Sequence, residues 1–134
     1  MKIKNIKDCR QFIANDYSKL REIFNPRKER LKLNYSLAYA KVEPHKKTLK
    51  HRLKYTEVYF ILKGRGIMHI NRQKKIVKSG DTIYIPPDSV QFIENKGRTP
   101  LKFLCIVDPA WEQKCEEIME SVMSLELFKR KAPY

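Results

Sequence analysis

The sequence has little glycine, little cysteine and no long apolar run, and each shortage excludes a class of protein. Its 134 residues contain 4 Gly, 7 Pro and 3 Cys, and 42% of them are hydrophobic. This composition excludes a low-complexity or disordered chain, because it can bury a core. The densest apolar stretch runs from Val58 to Leu62 and ends at Lys63, far short of the roughly 18 residues that a membrane-spanning helix needs. The sequence therefore predicts one globular domain and no membrane partner.

The cysteines and the first residues both bear on the cellular compartment. Cys9, Cys105 and Cys115 are odd in number and form no CxxC pair, which excludes a zinc-finger pattern and predicts reduced thiols. Residues Met1–Asn5 alternate charged and apolar side chains, unlike the apolar segment of a secretory signal. We therefore expect a cytoplasmic protein.

Acidic residues are also scarce, with 15 Asp and Glu against 29 Lys and Arg, so the formal net charge is +14. Residues 1–54 contain 16 basic and 5 acidic residues and hence +11 of this charge. Such an excess attracts phosphates, RNA or anionic metabolites. The sequence contains no helix-turn-helix pattern, no Cys/His finger and no RNP-like aromatic run, which argues against a nucleic-acid partner. The charge thus predicts a basic rim that attracts anionic ligands.

Apolar and polar residues alternate with a period of two from Leu31 to Val107, which is typical of short β-strands. Turn-forming pairs such as Glu43-Pro44 and Ser79-Gly80 separate these runs at intervals that suit a barrel or sandwich. No helical pattern interrupts them, so we expect an all-β fold. The predicted strands cover residues 33–40, 57–62, 67–70, 75–77, 82–85, 90–93 and 101–107.

The two ends of the chain differ from this central region. Asp108-Pro109 is typical of a helix N-terminus, and Trp111 and Ile118 begin a row of apolar residues at helical spacing. We expect a C-terminal α-helix whose wide apolar face covers the barrel mouth or a second subunit. Residues Lys2–Ile6 predict an exposed edge strand, and this strand and helix together predict a homodimer.

The expected organisation follows from these divisions. It has an N-terminal arm with edge strands over residues 1–30, a β-barrel over 31–108, and a C-terminal helix and tail over 109–134.

Two stretches match a known pair of motifs, one from His51 to Gly64 and one from Gly80 to Asn95. Their spacing resembles the cupin superfamily patterns G-x5-H-x-H-x3–4-E-x6-G and G-x5-P-x-G-x2-H-x3-N. The chain is most similar to small single-domain prokaryotic cupins, some of which bear the transferred label mannose-6-phosphate isomerase. The resemblance implies a single-domain jelly-roll barrel, or double-stranded β-helix. The matching residues are His51, Glu57, Gly64, Gly80, Pro86 and Asn95.

Departures from these motifs concern the metal ligands. The family's usual set is two His and one Glu from the first motif and one His from the second, but Leu53 and Gln91 stand at the second and third His positions. The resemblance therefore implies a degenerate site of His51, Glu57 and Gln91, whose mixed N and O donors suit Zn, Mn, Fe or Ni. Cys105 is a further candidate ligand from the strand over residues 101–107. The alternative is a metal-free cavity in which the same groups bind a ligand or one another.

Two further pairs of residues follow from the motifs. His45 and Asp88 occupy positions where the family has glycine. Glycine suits turns with unusual backbone angles, so the resemblance does not fix the local loop shape at these two positions. Tyr59 shares a strand face with Glu57, and Tyr84 precedes Pro86 by two residues. Their hydroxyls could orient a polar ligand, and Glu57 or a tyrosine could move protons in an enzyme.

Three functional hypotheses remain open, and the sequence does not decide whether the protein is an enzyme. The first is a barrel that binds a small polar or anionic ligand. The second is a metal-dependent enzyme, either an isomerase or epimerase of a sugar phosphate or an oxygenase. The third is a basic nucleic-acid-associating protein, supported by charge alone.

Overall fold

Strands form nearly all of the regular structure in the computed structural model, which describes residues 1–120. Two short 3-10 helices, Ile6–Asp8 and Gln113–Cys115, are the other regular elements of that part of the chain. The strands are β1 (Gln11–Ile13), β2 (Lys19–Phe24), β3 (Ser36–Val42), β4 (His51–Leu53), β5 (Thr56–Lys63), β6 (Arg65–Ile70), β7 (Gln73–Lys78), β8 (Thr82–Ile85), β9 (Gln91–Glu94), β10 (Leu101–Asp108) and β11 (Glu116–Ile118).

The strands form two antiparallel sheets around one core. One sheet has the order β1-β2-β3-β10-β5-β8 and the other β11-β4-β9-β6-β7. The core takes Tyr59, Ile61 and Phe103 from the first sheet and Met68 and Ile93 from the second. Buried residues alternate with half-buried ones along β10, because successive side chains of a strand point to opposite faces. The all-β prediction is confirmed.

The predicted C-terminal helix is wrong over residues 109–120. Glu116–Ile118 instead forms β11, which pairs with β4 and places Ile118 opposite His51. Pairing with an open sheet edge satisfies the backbone groups of these residues, and this tertiary contact outweighs their helical spacing. The remaining part of the predicted helix, residues 121–134, lies outside the described residues.

The predicted strand over Lys2–Ile6 is also replaced. Residues 1–5 form no strand, and a 3-10 helix begins at Ile6, where the Asn5 side chain caps the Lys7 N–H. Lys4 binds the Glu29 carboxylate at 2.6 Å. The first strand is β1, which pairs with β2.

The two positions that lack the family glycine keep the backbone conformation that glycine favours. His45 has φ = 63° and Asp88 has φ = 65°, and His and Asp are among the residues most often found in this left-handed region. The His45 N–H donates to the Asn95 carbonyl at 3.0 Å, and the Asp88 N–H donates to the Leu53 carbonyl at 2.7 Å. Both turns therefore keep a left-handed backbone conformation, and both are bonded to residues close to the motif positions.

Over residues 1–120, no helix has the length and apolar character needed to cross a membrane.

Candidate functional site

A cavity of about 340 Å³ lies within the barrel, beside the β1–β2 turn and the segment that follows β10. Glu57 and Tyr59 reach it from β5, Cys105 from β10 and His51 from β4. The other charged groups on its wall come from the β1–β2 turn, β2, the loop after β2 and β11, namely Asp16, Glu22, Lys28 and Glu116. A volume of this size suits a small-molecule site.

His51 is a basic group on this wall and is 2% exposed. Its Nδ1 lies 2.7 Å from the Leu49 carbonyl oxygen, and because a carbonyl only accepts, Nδ1 carries the proton. Its Nε2 lies 3.7 Å from Asp16 Oδ2. Burial alone would lower the pKa of His51, but the charges of Asp16 and Glu57 and the Leu49 hydrogen bond outweigh burial and raise this pKa.

Glu57 is the buried carboxylate of the first motif, with an exposed fraction of 6%. Its Oε1 accepts a hydrogen bond from Gln91 Nε2 at 3.0 Å. Burial raises the pKa of Glu57 to about 8, and the opposing effects of His51 and Gln91 offset burial only in part. No hydrogen bond from the described residues reaches Glu57 Oε2.

Gln91 and Tyr59 support Glu57 from the barrel interior. Gln91 lies opposite His51 in the β4–β9 pairing, and its Oε1 accepts from the Tyr59 hydroxyl at 3.2 Å. Hydrogen bonds therefore run from Tyr59 through Gln91 to Glu57. Gln91 is 1% exposed and does not border the cavity, whereas Tyr59 does.

Cys105 pairs with Tyr59 across β5 and β10 and lies on the cavity wall, as strand alternation predicts. Burial raises the pKa of the Cys105 thiol well above its usual value. Burial likewise raises the pKa of Tyr59. Both groups are therefore protonated at neutral pH, and Cys105 is a neutral thiol on the cavity wall.

The structure does not bring Tyr84 to this site. Tyr84 lies on β8 opposite Val58 and is 62% exposed. The next residue, Ile85, is buried and lies opposite Glu57. Strand alternation therefore directs Tyr84 away from the cavity that Glu57 lines.

Two acidic residues of the site have no counterpart in the sequence motifs. Asp16 Oδ1 accepts from the Ser18 N–H at 3.0 Å and from the Ser18 hydroxyl at 2.7 Å. Glu116 Oε1 accepts from Asn15 Nδ2 at 2.9 Å, and burial raises the pKa of Glu116. The Asp-x-Ser spacing signals a local turn, but no sequence signal points from either acid to the cavity.

The donor set does not fit the metal site that the motif resemblance implies. Leu53 is apolar and packs with Val107 and Cys115. Gln91 Oε1, the amide oxygen that would bind a metal, already accepts from Tyr59. Among residues 1–120, no group of three or more His, Cys, Asp or Glu side chains is arranged to hold a metal ion.

Comparisons with known proteins agree with the motif spacing. The family model described as a cupin domain matches residues 38–107, just over half of the chain. An uncharacterised protein of Methanocaldococcus jannaschii is 44% identical over 111 residues, which cover 81% of this chain and 87% of that protein. The oxalate-binding protein of Thermotoga maritima is 37% identical over 51 residues, or 38% of this chain and 42% of that protein.

A solved structure shows the same fold. It is that of a predicted oxalate decarboxylase from Thermotoga maritima, with a TM-score of 0.71 and 22% identity over 81% of this chain and 99% of that one. Since the matched region includes both motifs and the barrel that holds them, this chain belongs to the cupin family.

Proposed function

We propose that this cupin binds a small polar organic ligand directly in the barrel cavity, without a resident metal ion. The observation that carries the proposal is the Tyr59–Gln91–Glu57 chain of hydrogen bonds. It uses Gln91 to hold one oxygen of Glu57, while the second oxygen remains available to a bound molecule. His51 adds a ring nitrogen on the same wall.

The rest of the cavity suits such a ligand. Its wall is largely apolar, with Leu53, Phe103 and Val107 among the lining residues. A few convergent polar groups on an apolar wall are typical of small-molecule sites, because the apolar area supplies affinity and the polar groups fix orientation.

The metal-dependent enzyme is the second candidate function, and one observation favours it. His51 directs Nε2 towards Asp16 Oδ2, while a backbone carbonyl fixes its other ring nitrogen. Metal-binding histidines are commonly oriented in this way. A sugar-phosphate isomerase would also need cations for the phosphate. Lys28, the lysine on the described cavity wall, is paired with Glu22 at 2.8 Å.

Metal analysis separates the two candidates. Protein purified without an affinity tag, and the His51→Ala variant, should both contain far less than one metal ion per chain. Addition of Zn²⁺, Mn²⁺, Fe²⁺ or Ni²⁺ should leave the unfolding temperature of both proteins unchanged. Stoichiometric metal in the wild type that disappears in His51→Ala would contradict the proposal.

Ligand binding is tested by thermal shift with a panel of small polar molecules. Compounds that stabilise the wild type should lose this effect in His51→Ala. Arg52→Ala is the matched control, because the half-buried Arg52 does not line the cavity and binds Glu117 at 2.9 Å. Equal loss in both variants would show that stabilisation does not depend on the cavity.

A further inference from the structure

The charged side chains of the cavity are mainly acidic, although the whole chain carries a net charge of +14. Asp16, Glu22, Glu57 and Glu116 all line the cavity. Lys28 also lines it, but its charge is balanced by Glu22 at 2.8 Å. Three carboxyl groups therefore remain, with His51 as their one basic neighbour among the lining residues of the described chain.

Two of these carboxyl groups have one oxygen anchored and the other open. Ser18 holds Asp16 Oδ1 with two hydrogen bonds, and Gln91 holds Glu57 Oε1. Asp16 Oδ2 lies 3.7 Å from His51 Nε2, which is beyond hydrogen-bond distance. No hydrogen bond from a described residue reaches Glu57 Oε2.

Glu57 Oε2 also faces the cavity. Within residues 1–120, every fully enclosed side-chain nitrogen or oxygen has a hydrogen-bond partner. Because Glu57 Oε2 has none, it is not fully enclosed, and the space that reaches it is the cavity that Glu57 lines. The exposed fraction of Glu57 is 6%, so the residue is 94% buried. Its carboxyl group nevertheless faces the ligand cavity.

We propose that the cavity binds a small organic cation, an amine whose ammonium group lies between Asp16 and Glu57 and whose apolar body packs on Phe12 and Phe103. This inference rests on the proposed function, since it specifies the ligand of the same cavity. An ammonium ion donates several hydrogen bonds to the open oxygens, and a buried charge needs such a partner. An anionic ligand would instead lie against these carboxyl groups, with His51 as their one basic neighbour in the described part of the cavity wall. The aromatic rings of the wall also favour a cation.

Three probes of similar shape test the charge of the ligand. Benzylamine, benzyl alcohol and benzoate share one ring and differ in their head group. Titration of the full chain, followed by backbone-amide NMR, should shift the signals of the β1–β2 turn, β5 and β10 with benzylamine. Benzylamine should bind about tenfold more tightly than benzyl alcohol, and benzoate should be the weakest.

Isosteric variants test the two carboxyl groups. Asp16→Asn removes a negative charge, and Glu57→Gln removes a carboxyl group that an ammonium ion beside it would hold ionised. Both keep the side-chain shape, so each should weaken benzylamine binding about tenfold and leave benzyl alcohol binding unchanged. Glu117→Gln is the matched control. Glu117 lies on β11 next to Glu116 but is exposed and paired with Arg52, so this variant should bind benzylamine as the wild type does.

The outcomes distinguish this inference from the proposed function. Tighter binding of benzoate or of oxalate, with shifts at the same amides, would overturn the organic cation and retain a metal-free ligand site. Unchanged benzylamine affinity in both variants would overturn the assigned contacts. Zn²⁺ or Mn²⁺ that displaces benzylamine stoichiometrically would overturn both proposals. Absence of any cavity shift with millimolar probe would also overturn the organic cation.

Discussion

At the scale of single residues, Glu57 shows how burial and one neighbour set the state of a carboxyl group. It is 6% exposed and accepts a hydrogen bond from Gln91. Removal from water disfavours its ionised form, and the nearby His51 restores only part of this loss. In the pattern that the motifs resemble, the positions of Glu57 and Gln91 supply two of the four metal ligands. Here Gln91 instead couples Glu57 to Tyr59.

The raised pKa of Glu57 predicts a pH-dependent stability. The pKa of Glu57 is about 8 in the folded protein against an ordinary value of 4.5, so the folded chain binds more protons between these two pH values. This contribution is present below about pH 4.5 and is lost as the pH rises towards about 8. At roughly 1.4 kcal/mol per pKa unit, the loss is on the order of 3–5 kcal/mol. The raised pKa of His51 acts in the same direction.

Urea unfolding between about pH 5 and pH 9 measures this slope. Glu57→Gln should show a much smaller decline with pH than the wild type. Glu117→Gln, which removes an exposed carboxylate, should keep the wild-type decline. An unchanged slope in Glu57→Gln would contradict the assigned environment.

Restoring the missing histidines should create a metal site. Leu53 lines the cavity and Gln91 lies opposite His51, so Leu53→His with Gln91→His supplies the four ligands that the motif pattern implies. The double variant should bind one Zn²⁺ or Ni²⁺ per chain by calorimetry, and Leu53→His alone should bind much more weakly. A double variant that folds but binds no metal would show that the barrel geometry, and not the missing imidazoles, prevents coordination.

At the scale of elements, pairing partners decided the structure of the chain ends. The residues after Pro109 have helical spacing, yet Glu116–Ile118 adds to β4 as β11. This places Glu116 on the cavity wall, while Asn15 bonds to both Gln113 and Glu116. The segment therefore covers part of the cavity, as predicted for the helix, but in a different conformation.

The left-handed backbone conformation at position 45 predicts that different residues there change the free energy of unfolding differently. His45→Gly should leave the free energy of unfolding unchanged or raise it by up to about 1 kcal/mol, because glycine adopts positive φ without strain. His45→Val should lower it by about 1–2 kcal/mol, since a β-branched side chain is disfavoured there. Lys46→Val is the control, because Lys46 is exposed and has no positive φ. Denaturant unfolding of the three variants measures these differences, and a stable His45→Val would contradict them.

At the scale of the whole molecule, the composition of the chain and that of the cavity differ. The chain has an excess of 14 basic residues, whereas the ionisable side chains that line the cavity are mostly carboxyl groups. Surface lysines and arginines are solvated and screened, so the net charge says little about a buried site.

We propose that the protein is a homodimer. Two features predicted this assembly, a strand over Lys2–Ile6 and a C-terminal helix within residues 109–134, and residues 1–120 contain neither the strand nor the first part of the helix. The supporting observations are now the edge strand β1 and the exposed apolar side chains of Ile3 and Ile13, which are 80% and 60% exposed. Pairing through this edge would cover Ile13.

Light scattering should give about twice the 16.0 kDa chain mass at micromolar concentration. Ile13→Lys should shift the particle towards the monomer, while Ile76→Lys on β7, where Ile76 is 77% exposed, should not. A wild-type particle of one chain would refute the dimer. A shift caused only by Ile76→Lys would place the interface at β7 instead.

The local pattern of the chain was enough to predict an all-β fold and its central strands, and the motif resemblance implied the barrel and a site that includes Glu57 and Gln91. Alternation along a strand is a local property, and turn-forming pairs such as Ser79-Gly80 are adjacent residues. The same alternation places Cys105 and Tyr59 on the inner face. These predictions needed no knowledge of distant contacts.

Only the tertiary structure brought Asp16 and Glu116 to the cavity and turned the expected helix into β11. Each of these outcomes depends on residues far apart in the chain, and their pairing is a property of the assembled sheets. The partner of Gln91 was decided in the same way, since its hydrogen bonds go to Glu57 and Tyr59 on the opposite sheet. A buried polar group takes the partner that the fold places beside it, and local spacing does not specify that partner.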